Sequence, residues 1–365
     1  MTGYFHVLTA IDIFVLSFMC ILTKLSESLN KKQKRGFFLA FTLIAGISVL
    51  EVVTLAVNDT PSGLRWLNIV SNYLGFGLSP AVSLCLVYVL DKKTALRRGF
   101  KAAVCCEIGY LIFLALSIPY GLIFSVSADN VYARGKCFYI YVIVYFAAIL
   151  YLSVSTIITG REFQNRSRAL IYPLMLFLTA ETVIQVALPD LHVTWLCVTL
   201  LSVLYFTYCN EMWNQLDALT GLLNQNSYLN RTAEMRRSGG LLIVFDVDNF
   251  KQVNDCYGHL QGDACLAAIA ACLKKAYACC GYCYRIGGDE FCVLLKNTAR
   301  EAACAEEFLR QLEKKRRELT FLPTVSYGSA PFSGEDVVAV KDQADRAMYH
   351  YKKARKEREA AIVPE

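Results

Sequence analysis

Charge is scarce in this sequence. Asp, Glu, Lys and Arg make up 19% of its 365 residues, against about 25% in a typical soluble domain. Hydrophobic residues supply 55%, a balance that excludes a disordered chain, and 21 Gly with 8 Pro exclude collagen. The length rules out a disulfide mini-protein and suggests roughly two domains. No Gly/Ser/Pro linker, internal repeat or low-complexity tract is visible. A basic patch for nucleic acid is missing too. The formal charge of +6 resides wholly in residues 1–208, with 16 Lys/Arg and 10 Asp/Glu, while residues 209–365 carry 21 of each. A nucleic-acid patch belongs on a soluble half, so nucleic acid is not an expected partner.

What is present is long apolar runs. A transmembrane helix needs about 20 mostly apolar residues, and seven segments qualify: roughly 5–23, 36–57, 66–90, 102–124, 138–158, 169–187 and 191–208. The sixth is the weakest, interrupted by Glu181 and Gln185. Buried helices of a soluble protein would not give seven such lengths parted by short polar loops. Loops 24–35, 91–101 and 159–168 hold 13 Lys/Arg, and the alternate loops hold three. The positive-inside rule then places the N-terminus outside and the C-terminal half in the cytoplasm, with the lipid bilayer as a partner. The N-terminus has no charged n-region or small-residue cleavage site and reads as the first span.

Acids within spans are costly and count as candidate functional groups. Asp12, Glu51 and Glu181 fall in the outer halves of their segments. Either they line a cavity for an external small-molecule ligand, or each is solvated or paired locally. Glu107 lies nearer the cytoplasmic side, where it can snorkel. Pro80, Pro119 and Pro173 either kink helices around such a cavity or are simply tolerated. Of 15 cysteines, eight lie beyond residue 216, where thiols stay reduced. Cys279-Cys280-Gly281-Tyr282-Cys283 contains a C-x-x-C, but no second pair stands at zinc-site spacing, so these cysteines read as small buried residues.

The second half alternates in character. LLIVFDVD (241–248) reads as a strand ending in acids, 261–278 as an Ala-rich helix, and YRIGGDEFCVLL (284–295) as a hairpin turning at Gly-Gly. Residues 299–319 read as a charged helix, PTVSYGSA as a strand and 337–358 as a last helix. This order predicts an α+β domain with a mixed sheet. Asp246 and Asp248 alternate, so both face one way unless the strand bends. Asp289 and Glu290 follow Gly287 and Gly288, where glycine admits close approach of a phosphate. Acids converging from two strands suit Mg²⁺ completed by nucleotide phosphates. Each feature alone is weak.

Together they resemble the GGDEF family, the diguanylate cyclases. GGDEF stands verbatim at 287–291. Upstream are DALTGLLN (217–224) and FDVDNFKQVNDCYGHLQGD (245–263), and downstream SYG (326–328) and ADRAMYHYKK (344–353), in the family's order and spacing. The resemblance implies a palm-like adenylyl-cyclase/GGDEF fold and the condensation of two GTP to cyclic di-GMP and two pyrophosphates by a homodimer. By position, it implies Asp246, the Val247 carbonyl, Asp289 and Glu290 as ligands of Mg²⁺ or Mn²⁺, with Asp289 and Glu290 also catalytic. It implies Asn254 and Asp263 as readers of guanine, Gly287 and Gly288 as a phosphate cradle, and Lys251, Lys352 and Lys356 as phosphate-contacting cations. Arg285 and Asp217 match a structural salt bridge. The expected organisation is an all-α transmembrane bundle over 1–208, a short signalling helix over 209–216 and the cyclase domain over 217–360, in a bacterial plasma membrane with the domain cytoplasmic.

Some positions depart from the pattern. Lys356 stands where the family often has arginine, which would give a bidentate fork. Arg355 takes a glycine's place, and Gln225 replaces an arginine after Asn224. Other readings are a catalytically silent GTP-binding or protein-interaction receptor and a transporter with a regulatory domain. The family's R-x-x-D product site would fall on Ala278 and Gly281, which lack its side chains. Cyclic di-GMP is therefore expected not to inhibit through this stretch. Noncompetitive product inhibition abolished by substitutions at 278–281 would overturn that expectation.

Overall fold

The computed structural model describes residues 2–60, 62–90, 94–163, 171–187, 193–235, 238–334 and 336–362. The chain divides into two compact units, Met1–Asn214 and Gln215–Glu365.

In the first unit, seven described helices lie on the seven apolar segments: α1 (Thr2–Leu25), α2 (Lys31–Val57), α3 (Arg65–Val89), α4 (Thr94–Ser117), α5 (Phe138–Glu162), α6 (Ile171–Ala187) and α7 (Thr194–Asn214). Five of them, α1 to α5, are long and apolar enough to cross a membrane. The 17-residue α6 and the more polar α7 are not among these five. α2 packs against α1, α3 and α7, and α5 against α3 and α6. Apolar side chains also point outward: Phe14 is 75% exposed and Leu116 67%. The cationic loops are shorter than the sequence suggests. Asn30 caps α2 through a capping box with Gln33, so Lys31 to Arg35 already belong to the helix.

Pro80 lies inside α3, Pro119 in the 3₁₀ turn after α4, and Pro173 in the first turn of α6, where a missing N–H costs nothing. Asp12 is buried on α1 and accepts a hydrogen bond from Ser48 of α2 at 3.3 Å, one turn before Glu51. The Glu181 side chain lies outside the described ones. Glu107 is buried. A hairpin of β1 (Phe124–Val126) and β2 (Tyr132–Arg134), absent from the sequence reading, follows α4. Buried Asn130 anchors it, donating to the Val57 carbonyl at 2.6 Å and accepting from Asn68 Nδ2 at 3.0 Å.

The second unit contains α8 (Gln225–Met235), β3 (Gly240–Val247), α9 (Phe250–Tyr257), α10 (His259–Tyr277), β4 (Gly281–Arg285), β5 (Glu290–Leu295), α11 (Glu301–Glu318), β6 (Val325–Phe332) and α12 (Val337–Ile362). The strands form one sheet in the order β4-β5-β3-β6. All its named pairs are antiparallel, which corrects the expected mixed sheet. β3 is central, and β5 and β6 both run against it. A parallel element survives only as a bridge between Leu223 and Tyr284 at the β4 edge.

The continuous apolar run of β3 reflects burial on both faces. Leu241, Ile243, Phe245 and Val247 join a core with Leu266, Ile269 and Leu273 of α10 and Phe308 of α11. Leu242 and Val244 join the opposite core with Tyr228 of α8 and Val340 and Ala344 of α12. Burying each such large side chain contributes about 1.5–3 kcal/mol. Continuing the alternation, Asp246 and Asp248 turn to the α12 side. There α12 lies close to β6: a Cβ on Gly328 would fall on the Met348 backbone nitrogen and the Ala344 carbonyl. Gly328→Ala is therefore expected to cost about 3 kcal/mol or more, lowering the apparent Tm of this unit by roughly 10 °C in thermal melts of the purified chain. An unchanged melt would contradict this packing.

Candidate active site

The acids gather where β3 and β5 end side by side. Asp246 pairs directly with Glu290 across the ladder, so both side chains share the α12 face. The Val247 N–H donates to the Asp289 carbonyl at 3.4 Å, which holds the loop end against the central strand. Asp246, Asp289 and Glu290 are half-buried, and Val247 is buried. Two lysines of α12 meet this acid edge. Lys352 Nζ lies 2.5 Å from Asp246 Oδ2 and 3.4 Å from Asp248 Oδ1, and Lys341 Nζ lies 3.8 Å from Glu290 Oε2. Burial works against both charged amines, but the neighbouring carboxylates outweigh it and raise their pKa values above the usual lysine value.

Asp248 is the buried member, 4% exposed. It accepts hydrogen bonds from Thr324 Oγ1 at 2.9 Å and Ser326 Oγ at 2.8 Å, and Arg355 Nη2 lies 2.9 Å away. Sequence reasoning noticed this acid but none of these partners. Arg355, read only as a departure from a glycine, neutralises it.

The Gly-Gly loop spans the four residues 286–289 between β4 and β5 and is closed by the Ile286 N–H donating to the Glu290 carbonyl at 3.0 Å. Gly287 and Gly288 are exposed, and a Cβ on Gly288 would meet no atom within 4 Å. The loop thus presents open backbone to solvent. Arg285 shapes it from beneath: Nη2 and Nε donate to the Gly288 carbonyl at 2.7 and 3.2 Å, while Nη1 lies 3.1 Å from Asp217 Oδ1. Asp217 in turn accepts from the Thr220 N–H at 2.9 Å and hydroxyl at 2.6 Å. The DALTG stretch therefore orients the arginine that holds the loop. Partial burial pushes the Asp217 carboxyl up, but Thr220 and Arg285 outweigh it and hold its pKa below the usual aspartate value.

Asn254 of α9 packs against Gly262 of α10, whose missing Cβ leaves the space that Asn254 Oδ1 occupies, and Asp263 follows Gly262 on α10. Asn254 is half-buried and Asp263 exposed, as is Lys251 one turn earlier on α9. The Lys356 side chain lies outside the described ones. Among the described residues, no three His, Cys, Asp or Glu side chains converge closely enough to hold a metal ion by themselves. Two acid-bearing strand ends and a backbone carbonyl form an all-oxygen set that fits a hard divalent cation whose coordination a nucleotide's phosphates complete.

The first unit has a separate, small cavity of about 40 Å³ between α3, α5, α6 and α7. Its lining among the described residues is apolar, aromatic and hydroxylic. Ser83 lines it at 6% exposure, and Trp195 stands on another wall.

Comparison with known proteins bears on the second unit. The family model for the GGDEF domain of diguanylate cyclases matches residues 214–358. Diguanylate cyclase DgcP of Pseudomonas aeruginosa is 38% identical over 160 residues, covering 39% of this chain and 23% of that protein. Cyclic di-GMP phosphodiesterase PdeR of Escherichia coli is 34% identical over 165 residues, covering 41% and 24%. The chain thus spans about a quarter of the length of these two relatives. The solved GGDEF domain of DgcB from Caulobacter crescentus, in complex with c-di-GMP, shows 28% identity and a TM-score of 0.35, covering 38% of this chain and 91% of that one.

Because the Asp217 pKa is lower in the folded state, its stabilising effect is full above the ordinary aspartate range and is lost as pH falls through the folded value. Asp217→Asn should be less stable than wild type at neutral pH, with the gap closing below about pH 4. A gap that stays constant in acid denaturation would contradict this.

Proposed function

We propose that the protein is a membrane-bound diguanylate cyclase that condenses two GTP to cyclic di-GMP and two pyrophosphates. The observation that carries this reading is the meeting of Asp246 and Glu290 on paired strand ends beside the open Gly287–Gly288 loop, inside a GGDEF domain. The outward apolar faces of α1 to α5 support anchoring in the bacterial plasma membrane, and the cationic loops support an outside N-terminus with the cyclase in the cytoplasm.

In this reading Asn254 and Asp263 receive the guanine edge. An acid there matches the N1–H and N2–H₂ donors of guanine and not the edge of adenine. Gly287 and Gly288 let the phosphates lie against the backbone, and Lys251, Lys352 and Lys356 offset their charge. Lys352, held by Asp246 and Asp248, is already placed at the acid edge. Asp246, the Val247 carbonyl, Asp289 and Glu290 would hold Mg²⁺ or Mn²⁺, which would neutralise phosphate charge. Asp289 accepts the proton of the ribose 3′-hydroxyl. Two protomers face each other, and each 3′-oxygen attacks the α-phosphorus of the GTP held by the other, so activity requires a homodimer. Such in-line transfer depends mainly on positioning and charge neutralisation. The helical unit supplies the input.

The test is production of cyclic di-GMP from GTP and Mg²⁺ by the purified full chain. Asp246→Asn and Glu290→Gln are each expected to lower the rate by on the order of 10²-fold or more. Asp263→Ala should raise the GTP KM by about 10- to 100-fold, the worth of hydrogen bonds to a charged group. Wild-type protein that binds GTP as a dimer yet makes no product would favour the silent receptor instead.

A further inference from the structure

Three thiols meet away from the acid edge. Cys279 and Cys280 follow the C-terminus of α10, and Cys304 stands in the first turn of α11. Cys279 Sγ lies 3.0 Å from Cys280 Sγ, and Cys304 Sγ lies 3.7 Å from it. Arg300 Nη1 donates to Cys280 Sγ at 3.5 Å. Cys279 is exposed, Cys280 half-buried and Cys304 buried. This corrects the reading of the whole 279–283 cluster as small buried residues. Cys283 does fit that reading, with Cys265, Cys272 and Cys292, all buried in the two cores.

The chemistry of the two groups differs accordingly. Burial pushes the Cys272 thiol up to about 11 and Cys283 up to about 12. Slight burial raises Cys280 as well, but Cys279, Arg300 and Cys304 outweigh it and bring its pKa below the usual thiol value. The hydrogen bond with Cys280 raises Cys279, and burial followed by the Cys280 contact raises Cys304. One sulfur thus lies beside a cation and near solvent with its pKa lowered, while those of its two neighbours are raised. Reactive and resolving thiols in redox-sensitive proteins divide the work in this way.

We propose that Cys280 is a site of covalent modification by hydroperoxides, with Cys304 as the resolving thiol. The Cys280 thiolate attacks a peroxide oxygen, the O–O bond breaks, and the departing hydroxide takes a proton to become water. Cys280 is left as a sulfenic acid. The Cys304 sulfur, giving up its proton, then attacks Cys280 Sγ. The S–O bond breaks, water leaves and the disulfide forms. Two thiols are oxidised by two electrons, and one hydrogen peroxide is reduced to two waters. Closing the bond from 3.7 Å to about 2.05 Å asks only for small side-chain movement. Cys304 is preferred to Cys279 because it comes from a separate element, whereas adjacent residues close a strained ring through one peptide bond. The product ties the start of β4 to the start of α11.

The experiment uses the reduced full chain. Iodoacetamide labelling is followed residue by residue by peptide mass spectrometry, with exposed Cys256 as the internal reference. Cys280 should alkylate at least about 10-fold faster than Cys256, and Arg300→Ala should remove most of that advantage. Hydrogen peroxide should give a Cys280–Cys304 disulfide that dithiothreitol reverses. In Cys304→Ala, Cys280 should instead accumulate as a sulfenic acid captured by dimedone. Equal alkylation of Cys280 and Cys256, which needs no variant, would overturn the proposal. So would a peroxide-induced disulfide that forms only between Cys279 and Cys280.

Discussion

The second unit of the molecule depends on one buried charge. Asp248, beyond the end of the central strand, is almost fully removed from water. A carboxylate there without partners would cost several kcal/mol. It is met by two hydroxyls flanking the start of β6 and by Lys352 and Arg355 from α12. Satisfying it therefore fixes the last helix over the sheet, and the close approach at Gly328 leaves that helix little room to sit elsewhere. Because Lys352 also reaches Asp246, the structural demand of one acid places a cation beside the other.

A second chain of dependence runs from the start of the unit to the Gly-Gly loop. Thr220 orients Asp217, Asp217 faces Arg285, and Arg285 holds the Gly288 carbonyl. The loop is left open above and fastened below. Both networks set charge and hydrogen bonds in place around the open loop and the acid edge.

Much of this was legible in the sequence, for identifiable reasons. The run Leu241 to Phe245 announced a strand because it is buried on both faces, and Gly287-Gly288 announced the turn. The alternation of Asp246 and Asp248 correctly put both on one side. The antiparallel order was not legible, since periodicity within a strand says nothing about the direction of its partners. Nor were the partners of Asp248, because Thr324, Ser326 and Arg355 lie far along the chain and a local pattern does not say which distant acid a side chain meets. The hairpin at Phe124–Arg134 escaped notice because its strands are three residues each and its anchor is a single asparagine. Hydropathy located the helices of the first unit, and among the described residues α1 to α5 are long and apolar enough to span a membrane. The thiol cluster was misread because spacing cannot reveal that a residue from α11 stands beside Cys280.

One small pairing has a further consequence. β4 is the outer strand of the sheet on its side, and its exposed flank would present unpaired backbone groups to any passing strand. Leu223 occupies that flank: its N–H donates to the Cys283 carbonyl at 3.1 Å and its carbonyl accepts from the Arg285 N–H at 2.9 Å. The segment entering the domain is thus also its guard against edge-to-edge aggregation. A shortened version beginning after Leu223 would keep Asp246, Asp248, Asp289 and Glu290 and still lose its colloidal protection.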